Sequence, residues 1–475
     1  MSSAVWTMSL DELAKATGGR ILSNIQDQFS GVTTDSRKPG QGCLFVAIHG
    51  DQFDGHDFCA AAVEQGVSVL LVHREDEVIK SLINKVSVVL VDDTTTGLQK
   101  LATYWREKAN FKVVGITGSN GKTTTKEFTT TVLKSCYSVA ATQGNLNNHW
   151  GVPLTILSAQ AEHEVLILEM GMSHLGEIAR LAQIAKPDVV LATNVGTSHI
   201  GEVGSQEGVR QAKKEIYEHS PGATAIFNRD NSFTRQIFEE YAEEHGREGT
   251  FSFSERDLGA EIDVSLNVKS ANLLGMVVSG RVGEATGSFE IPISGPHNVS
   301  NLMAAASIGL ALDVPVEKIW ESLPKCRTAW GRNQIVEHPN GAQIIFDAYN
   351  ANPQSMEALL HSLKSSSQKG QKTVVILGEM LELGDFSEQF HRKLGEWAGQ
   401  SQAECIWFMG PHREAVADGV RSSGFQNKLV ISDTYEESLA MEIESMLEPG
   451  DIVAIKGSRG MKLERVLNKW GVSGF

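Results

Sequence analysis

The chain has 475 residues, of which 41% are hydrophobic and 21% are charged, and its formal net charge is −16. This length and composition predict a globular protein of two to four domains, and the acidic balance argues against non-specific nucleic-acid binding, which needs a basic surface. No apolar run approaches the length of a membrane span and no signal-peptide pattern opens the chain, so we expect a cytoplasmic protein without membrane insertion. The five cysteines are scattered without metal-like spacing, which indicates reduced structural thiols.

The first block, residues 1–109, alternates short apolar runs with helical stretches, and a capping box at Ser9 and Glu12 predicts its first helix. Two polar segments, Asp35-Ser36-Arg37 and Asp54–Phe58, flank the first apolar run. They are suited to bind an anionic ligand, but the pattern by itself favours turns. We predict strands in this block at 43–48, 67–72 and 86–91.

The second block, residues 110–329, opens with a nucleotide-binding pattern. An apolar run is followed by TGSNGKTTT at 117–125 and then by a helix-like stretch. Backbone N–H groups of such a loop and the helix N-terminus hold phosphate, while Lys122 reaches the terminal phosphates and the Thr123 hydroxyl binds Mg²⁺. Ile116 stands where the usual pattern has its first glycine, and Gly118 serves instead, which predicts a tighter turn. The alternative is an ordinary glycine-rich turn.

Further strands in the second block alternate with helices, which predicts βαβ units and a mostly parallel sheet. By contrast, residues 250–293 contain alternating strand-like segments and predict an antiparallel meander. The predicted parallel strands lie at 165–168, 189–192 and 223–227.

Two residues of this block lie where predicted parallel strands end, which is the edge at which such sheets bind ligands. Glu169 follows the strand at 165–168, and beside a phosphate loop we favour a Mg²⁺ ligand over a salt-bridged carboxylate. His199 follows the next strand, and we interpret it as a ligand rather than as an ordinary surface or core histidine.

Two other polar features of this block are less informative from pattern alone. The loop QGNLNNHWGVP at 143–153 carries Asn145, Asn147 and Asn148, amides that suit phosphate or carboxyl groups but also ordinary turns. Lys213 lies in a helix-like stretch, where a solvated helix face is the simplest interpretation.

The third block, residues 330–475, returns to strand–helix order after a plausible hinge at Gly331-Arg332. Asn352-Pro353 is typical of a helix start. The turns at 347–353 and 456–460 follow strands, and the second is suited to grip a carboxylate or phosphate through Arg459. The predicted strands lie at 344–347, 374–377, 405–409 and 452–455.

Motifs in all three blocks resemble those of the Mur ligases of bacterial cell-wall synthesis, over essentially the whole chain. They are DSRKPGQGCLFVAIHG and DGHDF, then TGSNGKTTTKE, GNLNNHWGVPLT, LEMGMSHLGEI, TNVGTSHIGEVGS and GPHNVSNLMAA, then DAYNANPQSM, LGEMLELG and KGSRGMKLE. The resemblance implies a three-domain α/β protein. Its parts would be a small UDP-substrate domain, a central P-loop mononucleotide-binding domain with a mostly parallel sheet plus a small antiparallel sheet, and a C-terminal Rossmann-like domain.

The resemblance also implies an activity. The DAYNANP and LGEMLELG segments indicate a member that uses ATP and Mg²⁺ to join D-alanyl-D-alanine to UDP-N-acetylmuramoyl-tripeptide through an acyl phosphate. A sister ligase or a folylpolyglutamate-type ligase is the alternative, and a nucleotide-switched binding module is disfavoured because no Asn-Lys-x-Asp signature is present. We expect a monomer without nucleic-acid partners.

Roles for single residues follow from the resemblance only. Catalysis is implied for Lys122, Glu169, His199 and Lys213. ATP binding is implied for Gly118, Ser119, Asn120, Gly121, Lys122, Thr123, Thr124, Asn298, Asn301, Arg332 and Asp347. Magnesium organisation is implied for Thr123, Glu169, His199 and Lys213, the last as a carbamate, which reverses the solvated-face interpretation. Substrate binding is implied for Ser36, Arg37, Asn145, Asn147, Asn350, Asn352, Lys456, Ser458 and Arg459. The chain departs from the family at Lys214, commonly glycine, and at Trp150, commonly aliphatic.

Overall fold

The computed structural model describes residues 6–50, 53–272, 275–293, 295–366 and 371–473, and these contain three largely parallel sheets and a two-stranded ribbon. The outermost residues of the predicted first and third blocks, 1–5 and 474–475, lie outside this range. Within the described ranges, none of the helices combines the length and the apolar character needed to cross a bilayer.

The first block is built on a five-stranded sheet in the order β2-β7-β6-β5-β4, parallel except for the β2–β7 pair, with β1 and β3 forming the ribbon. Ser9 and Glu12 form the predicted capping box. Its strands are β1 (Thr7–Ser9), β2 (Arg20–Ser23), β3 (Gln28–Ser30), β4 (Val32–Thr33), β5 (Leu44–Val46), β6 (Val69–Val72) and β7 (Ser87–Leu90). Its helices are α1 (Leu10–Thr17), α2 (Cys59–Glu64), α3 (Glu77–Leu82) and α4 (Thr94–Ala109).

The second block is built on a nine-stranded sheet in the order β16-β15-β14-β13-β12-β11-β8-β10-β9. Its strands are β8 (Lys112–Thr117), β9 (Val139–Ala141), β10 (Val165–Glu169), β11 (Val189–Ala192), β12 (Thr224–Asn228), β13 (Thr250–Phe253), β14 (Val264–Asn272), β15 (Gly275–Val282) and β16 (Ala285–Ile291). Its helices are α5 (Lys122–Leu133), α6 (Gly151–Ser158), α7 (Glu177–Ala185), α8 (Ile200–Val203), α9 (Gln206–Glu218), α10 (Ser232–His245), α11 (Asn298–Ala311) and α12 (Val316–Ser322).

The predicted meander corresponds to β14–β16, which pair antiparallel. It extends the edge of the parallel sheet, to which it is joined by the single residue pair Phe253–Val264, rather than standing apart as a second sheet. The strand β13, which we expected within the meander, pairs parallel with β12.

The third block is built on a six-stranded sheet in the order β17-β18-β22-β19-β20-β21, parallel except for the β17–β18 pair. Asn352 caps α13 as predicted, because its Oδ1 accepts from the Ser355 N–H at 2.9 Å. Its strands are β17 (Gln334–Glu337), β18 (Gln343–Asp347), β19 (Thr373–Gly378), β20 (Cys405–Met409), β21 (Lys428–Ser432) and β22 (Ile452–Lys456). Its helices are α13 (Pro353–Ser366), α14 (Ser387–Gly399), α15 (Arg413–Ser422), α16 (Glu437–Glu444) and α17 (Glu464–Lys469).

The first two blocks share a hydrophobic core, whereas the third has cores of its own. One buried cluster runs from Trp6 and Phe29 to Val113 and Leu166, and α4 adds hydrogen bonds such as Trp105 Nε1 to the Ala159 carbonyl at 3.1 Å. The buried clusters of the third block contain residues of that block alone. The third block therefore meets the second largely through polar contacts, which favours relative movement at that boundary.

Candidate active site

The phosphate loop connects β8 to α5 and depends on two glycines in the left-handed region. Gly118 has φ 141°, and a Cβ there would lie 1.9 Å from the Thr193 hydroxyl. Gly121 has φ 82°, and a Cβ there would lie 2.4 Å from Asn301 Oδ1. Only glycine fits both positions, because any side chain would collide with Thr193 or Asn301. The two glycines therefore allow the backbone of the loop to approach these residues closely.

The loop is hydrogen-bonded to Asn194, just after β11, and in the described part of the chain the helix that follows the loop has an uncapped N-terminus. Asn194 accepts from the N–H of Ser119 through its carbonyl at 3.0 Å and from the N–H of Asn120 through its side chain at 2.9 Å. Among the described residues, no side chain caps the first turn of α5. The free N–H groups of that turn and the helix dipole suit an anion such as phosphate.

Glu169 connects the phosphate loop to the 143–153 loop. Its buried carboxylate accepts from the Thr123 hydroxyl at 2.8 Å and from Asn147 Nδ2 at 2.9 Å. Both donors are neutral, so neither contact is an ion pair. Carboxylate and hydroxyl oxygens in this arrangement fit Mg²⁺, which prefers oxygen ligands.

Lys213 is buried on the inner face of α9, so the solvated-face interpretation is wrong. The side chain is about 1% exposed, and among the described residues its Nζ has no hydrogen-bond partner. Burial and the nearby charge of Lys122 hold the pKa of Lys213 well below its usual value. A lowered pKa favours the neutral amine, which is the form that reacts with carbon dioxide to give a carbamate.

Two further basic side chains, Lys122 and His199, lie close enough to Lys213 for their charges to interact. Burial lowers the pKa of Lys122, whose Nζ donates to the Gly118 carbonyl at 2.7 Å. Burial, followed by the charges of Lys122 and Lys213, lowers the pKa of His199 to about 4. His199 is thus a neutral imidazole at pH 7, able to act as a ligand.

The third block reaches the phosphate loop through several polar contacts. Asn352 Nδ2 donates to Asn120 Oδ1 at 2.7 Å and to the Ser198 hydroxyl at 3.1 Å. Arg332 stacks on the Tyr349 ring and lies 3.5 Å from the Thr123 hydroxyl. These contacts hold the third block against the loop in a closed arrangement.

Two cavities meet at the loop. The first, of about 430 Å³, lies between the loop, the start of α11 and the start of α13. The second, of about 710 Å³, opens on the other side of the loop. Of the predicted residues, the first is lined by Asn120, Gly121, Thr124, Asn298, Asn301, Arg332, Asp347, Asn350, Asn352 and Lys456. The second is lined by Ser119, Asn120, Gly121, Lys122, Thr123, Asn145, Asn147, Glu169, His199, Arg332, Asn350, Ser458 and Arg459.

Four predicted residues line neither cavity. Gly118 belongs to the phosphate loop itself, and Lys213 is buried on α9, as described above. Arg37, with its side chain 85% exposed, donates to Asp35 at 2.7 Å, and this contact lowers the pKa of Asp35 to about 2. Its neighbour Ser36 is likewise outside both linings, and a substrate role for Ser36 and Arg37 stays a prediction.

Asp347 and Lys456 form a buried ion pair at the ends of the adjacent strands β18 and β22. Asp347 also accepts from the Asn333 N–H at 3.2 Å. The pair places one negative and one positive group on the wall of the first cavity. A nucleotide bound by Asp347, or a substrate bound by Lys456, therefore meets both charges.

Sequence reasoning missed several cavity residues. Asn194, Asn228, Asp230 and Asn231 line the first cavity and lie at or just after the ends of β11 and β12. The strand-end rule that selected Glu169 would also have found them. Gln354 and Asn333 line the same cavity, while Arg180, Tyr349 and Glu382 line the second, and no spacing in the sequence identifies these.

Comparison with known proteins agrees with this geometry. The Mur ligase family catalytic domain matches residues 28–106, the Mur ligase middle domain matches 116–309, and the Mur ligase glutamate ligase domain matches 331–459. The UDP-N-acetylmuramoyl-tripeptide–D-alanyl-D-alanine ligase of Bacillus subtilis is 35% identical over 463 residues, covering 97% of this chain and 96% of the relative. The enzyme of that name from Escherichia coli is 30% identical over 469 residues, covering 97% and 98%.

Solved structures are similar over the same span. MurF from Acinetobacter baumannii superposes with a TM-score of 0.87 at 32% identity, covering 98% of this chain and 99% of that one. MurF ligase from Thermotoga maritima in complex with ADP superposes with a TM-score of 0.76 at 28% identity, covering 93% and 96%. Since the family matches recur in all three blocks and a relative is 35% identical over 97% of the chain, this protein belongs to the Mur ligase family.

Proposed function

We propose that this protein is an ATP-dependent ligase that joins D-alanyl-D-alanine to UDP-N-acetylmuramoyl-tripeptide and so forms a pentapeptide precursor of peptidoglycan. The observation that carries the proposal is the contact of Thr123 with Glu169, which unites a phosphate loop and a strand-end carboxylate. Relatives named for this reaction, at 35% and 30% identity over 97% of the chain, support the choice of substrates.

The reaction requires activation of a carboxylate, because an amine cannot expel oxide from it at a useful rate. The γ-phosphoryl group of ATP passes to the terminal carboxylate of the tripeptide, giving an acyl phosphate and ADP. The dipeptide amine then attacks the acyl carbon, phosphate leaves, and the amine loses its proton. Phosphoryl transfer depends chiefly on positioning and charge neutralisation.

The residues of the second block suit the nucleotide. The open first turn of α5 and Lys122 would hold the β- and γ-phosphates, and Arg332 would approach them from the third block. Asn298 and Asn301 would contact the adenine, and Asp347 the ribose, in the first cavity. The similar MurF ligase solved in complex with ADP supports nucleotide binding by this chain.

The donor set around Glu169 suits magnesium ions. Thr123, Glu169, His199 and a carbamate on Lys213 would hold them, and bound Mg²⁺ would neutralise the charge that develops on the transferring phosphoryl group. The buried Nζ of Lys213, which has no hydrogen-bond partner among the described residues, supports the carbamate, because a carbamate would place an oxygen donor where Lys122 already supplies positive charge. Asn147 would orient the Glu169 carboxylate.

The remaining predicted residues suit the two peptide substrates. Asn145, Asn350, Asn352, Lys456, Ser458 and Arg459 would surround the reacting carboxylate and the dipeptide, and Ser36 with Arg37 would contact the UDP end. We further propose three domains at 1–109, 110–329 and 330–475, a monomer, and a cytoplasmic location where ATP is available.

The test is phosphate release from ATP with both substrates, omitting each in turn. We expect release only when the UDP-linked tripeptide, D-alanyl-D-alanine and ATP are all present. A sister ligase or a folylpolyglutamate-type ligase would instead prefer a single amino acid, so a panel of amines separates the alternatives. Release with glutamate and none with the dipeptide would overturn the proposal.

A further inference from the structure

Glu382 stands out among the cavity residues because it is an acidic side chain held in an unusual backbone conformation. It follows β19 and has φ 66°, in the left-handed region that residues other than glycine rarely adopt. Its loop is fixed, since Ser458 donates its N–H to the Glu379 carbonyl at 3.0 Å and accepts the Leu381 N–H on its hydroxyl at 3.0 Å. Such conformations persist where surrounding contacts impose them, and they cluster at functional sites.

Three carboxylates line the second cavity, and Glu382 is the most available of them. Glu169 accepts from Thr123 and Asn147, and Glu177 accepts two backbone N–H groups. Glu382, with its side chain 64% exposed, approaches His199 Nδ1 at 3.7 Å, which is too long for a hydrogen bond. Its carboxylate therefore has room for a charged partner from solution.

The same lining carries the lysine and arginine side chains of Lys122, Arg180, Arg332 and Arg459 among its uncharged residues. That charge suits phosphates and carboxylates but repels an ammonium group. The Arg459 guanidinium stacks on the Trp330 ring at 4.6 Å and donates to Glu464, which leaves other N–H donors for a ligand. A carboxylate and a cation that line the same cavity match the two charges of a zwitterion.

We propose that Glu382 binds the ammonium group of the incoming dipeptide, while Arg459 binds its carboxylate, so that together they position the amine in the second cavity. This inference rests on the proposed function, because it assumes a zwitterionic amine as the second substrate. Glu382 is a positioning residue in this account. It sits on the third block and packs near α8 of the second, with its carbonyl 3.8 Å from where a Cβ of Gly201 would lie. The amine would therefore be presented only when the third block is docked.

The test removes the negative charge of Glu382 in one set of experiments and the positive charge of the dipeptide's amino group in another. The variants are Glu382→Gln, which removes the charge at constant shape, and Glu382→Asp, which restores it. Glu388→Gln is the matched control, since Glu388 is an exposed carboxylate on the following helix and outside both cavity linings. The probes are D-alanyl-D-alanine as substrate and N-acetyl-D-alanyl-D-alanine, which lacks the ammonium, as inhibitor.

We expect Glu382→Gln to raise KM for the dipeptide by about tenfold or more, as loss of a charged hydrogen bond predicts. KM for ATP, Ki for the acetylated dipeptide and the melting temperature should stay unchanged, and Glu382→Asp should recover part of the affinity. An unchanged dipeptide KM in Glu382→Gln, or an equal loss for both probes, would overturn the inference. If the wild-type protein shows no dipeptide-dependent phosphate release, the proposed function fails instead.

Discussion

The Thr123 hydroxyl donates a 2.8 Å hydrogen bond to Glu169, although 46 residues separate them in the chain. The contact joins the first turn of α5 to the end of β10. It sets a carboxylate that also accepts from Asn147 next to the phosphate loop. The functions of the phosphate loop and of the buried Lys213 amine can be tested separately, each by replacing one lysine.

Replacing Lys122 tests the phosphate loop. We expect Lys122→Ala to abolish ADP release in practice, lowering its rate in the presence of both substrates by about a thousandfold. The reason is that a positive charge that would hold the transferring phosphoryl group is lost. Lys134→Ala, at the exposed end of the same helix, is the control and should turn over normally. Near-normal ADP release by Lys122→Ala would show that the loop does not hold ATP.

Replacing Lys213 tests the carbamate. Lys213→Ala should lose about a hundredfold or more of its activity, because a carbamate oxygen near the metal-binding residues is removed. Short carboxylic acids should restore part of the rate by occupying the space left by the side chain. Lys214→Ala is the neighbouring control, since Lys214 pairs with Glu218 and Glu240 at the surface. Full activity of Lys213→Ala without added acid would refute the carbamate.

Replacing Asn352 tests the closed arrangement. Its Nδ2 contacts Asn120 and Ser198 of the second block, while its Oδ1 caps α13. Asn352→Ser should keep a cap but lose the contact between blocks, and Asn352→Ala should lose both and destabilise the protein by about a further 1 kcal/mol.

Small-angle scattering measures this closure, and thermal unfolding measures the cap. We expect the wild-type protein to become more compact when ATP and the UDP-linked tripeptide are added, and both Asn352 variants to respond less. Identical scattering with and without ligands in the wild-type protein would count against closure. Equal melting temperatures of the two variants would count against the cap.

A buried histidine of the third block predicts a pH effect on stability. His391 donates through Nδ1 to the Ser387 carbonyl and accepts the Met380 N–H on Nε2, so the fold holds it neutral. Burial lowers its pKa below the ordinary 6.5, and the nearby Glu379 opposes this shift in part. The unfolded chain therefore binds the proton more readily, and the contribution of His391 is present above about pH 6.5 and declines as pH falls below it.

Chemical unfolding at several pH values measures that contribution. The free energy of unfolding of the wild-type protein should fall more between pH 7.5 and 5.5 than that of His391→Gln, which has no titrating ring. His361→Gln removes an exposed histidine and should retain the wild-type pH dependence. Parallel curves for wild-type and His391→Gln would contradict the prediction.

Much of this architecture was predictable because local patterns suffice for it. Strand and helix alternation, the capping box at Ser9 and the Asn352 cap are encoded within a few residues, and they match the structure. Glu169 lies at the cavity edge where the strand-end rule predicts it, because the carboxyl edge of a parallel sheet is defined by strand direction alone, and its role as a ligand stays a prediction. The same rule covers Asn194 and Asn228, which line the first cavity but were not among the predicted residues.

The sequence by itself determined a phosphate loop, three α/β blocks and a strand-end carboxylate, because each depends on residues adjacent in the chain. Only the tertiary structure decided that Lys213 has no hydrogen-bond partner among the described residues, that Asn352 reaches Asn120, and that Glu382 lines the second cavity. Burial and contacts between blocks depend on how helices pack and how the third block docks. The helical spacing of Val209, Ala212 and Ile216 indicates the inward face of 206–218, but no local pattern shows what surrounds Lys213 on that face.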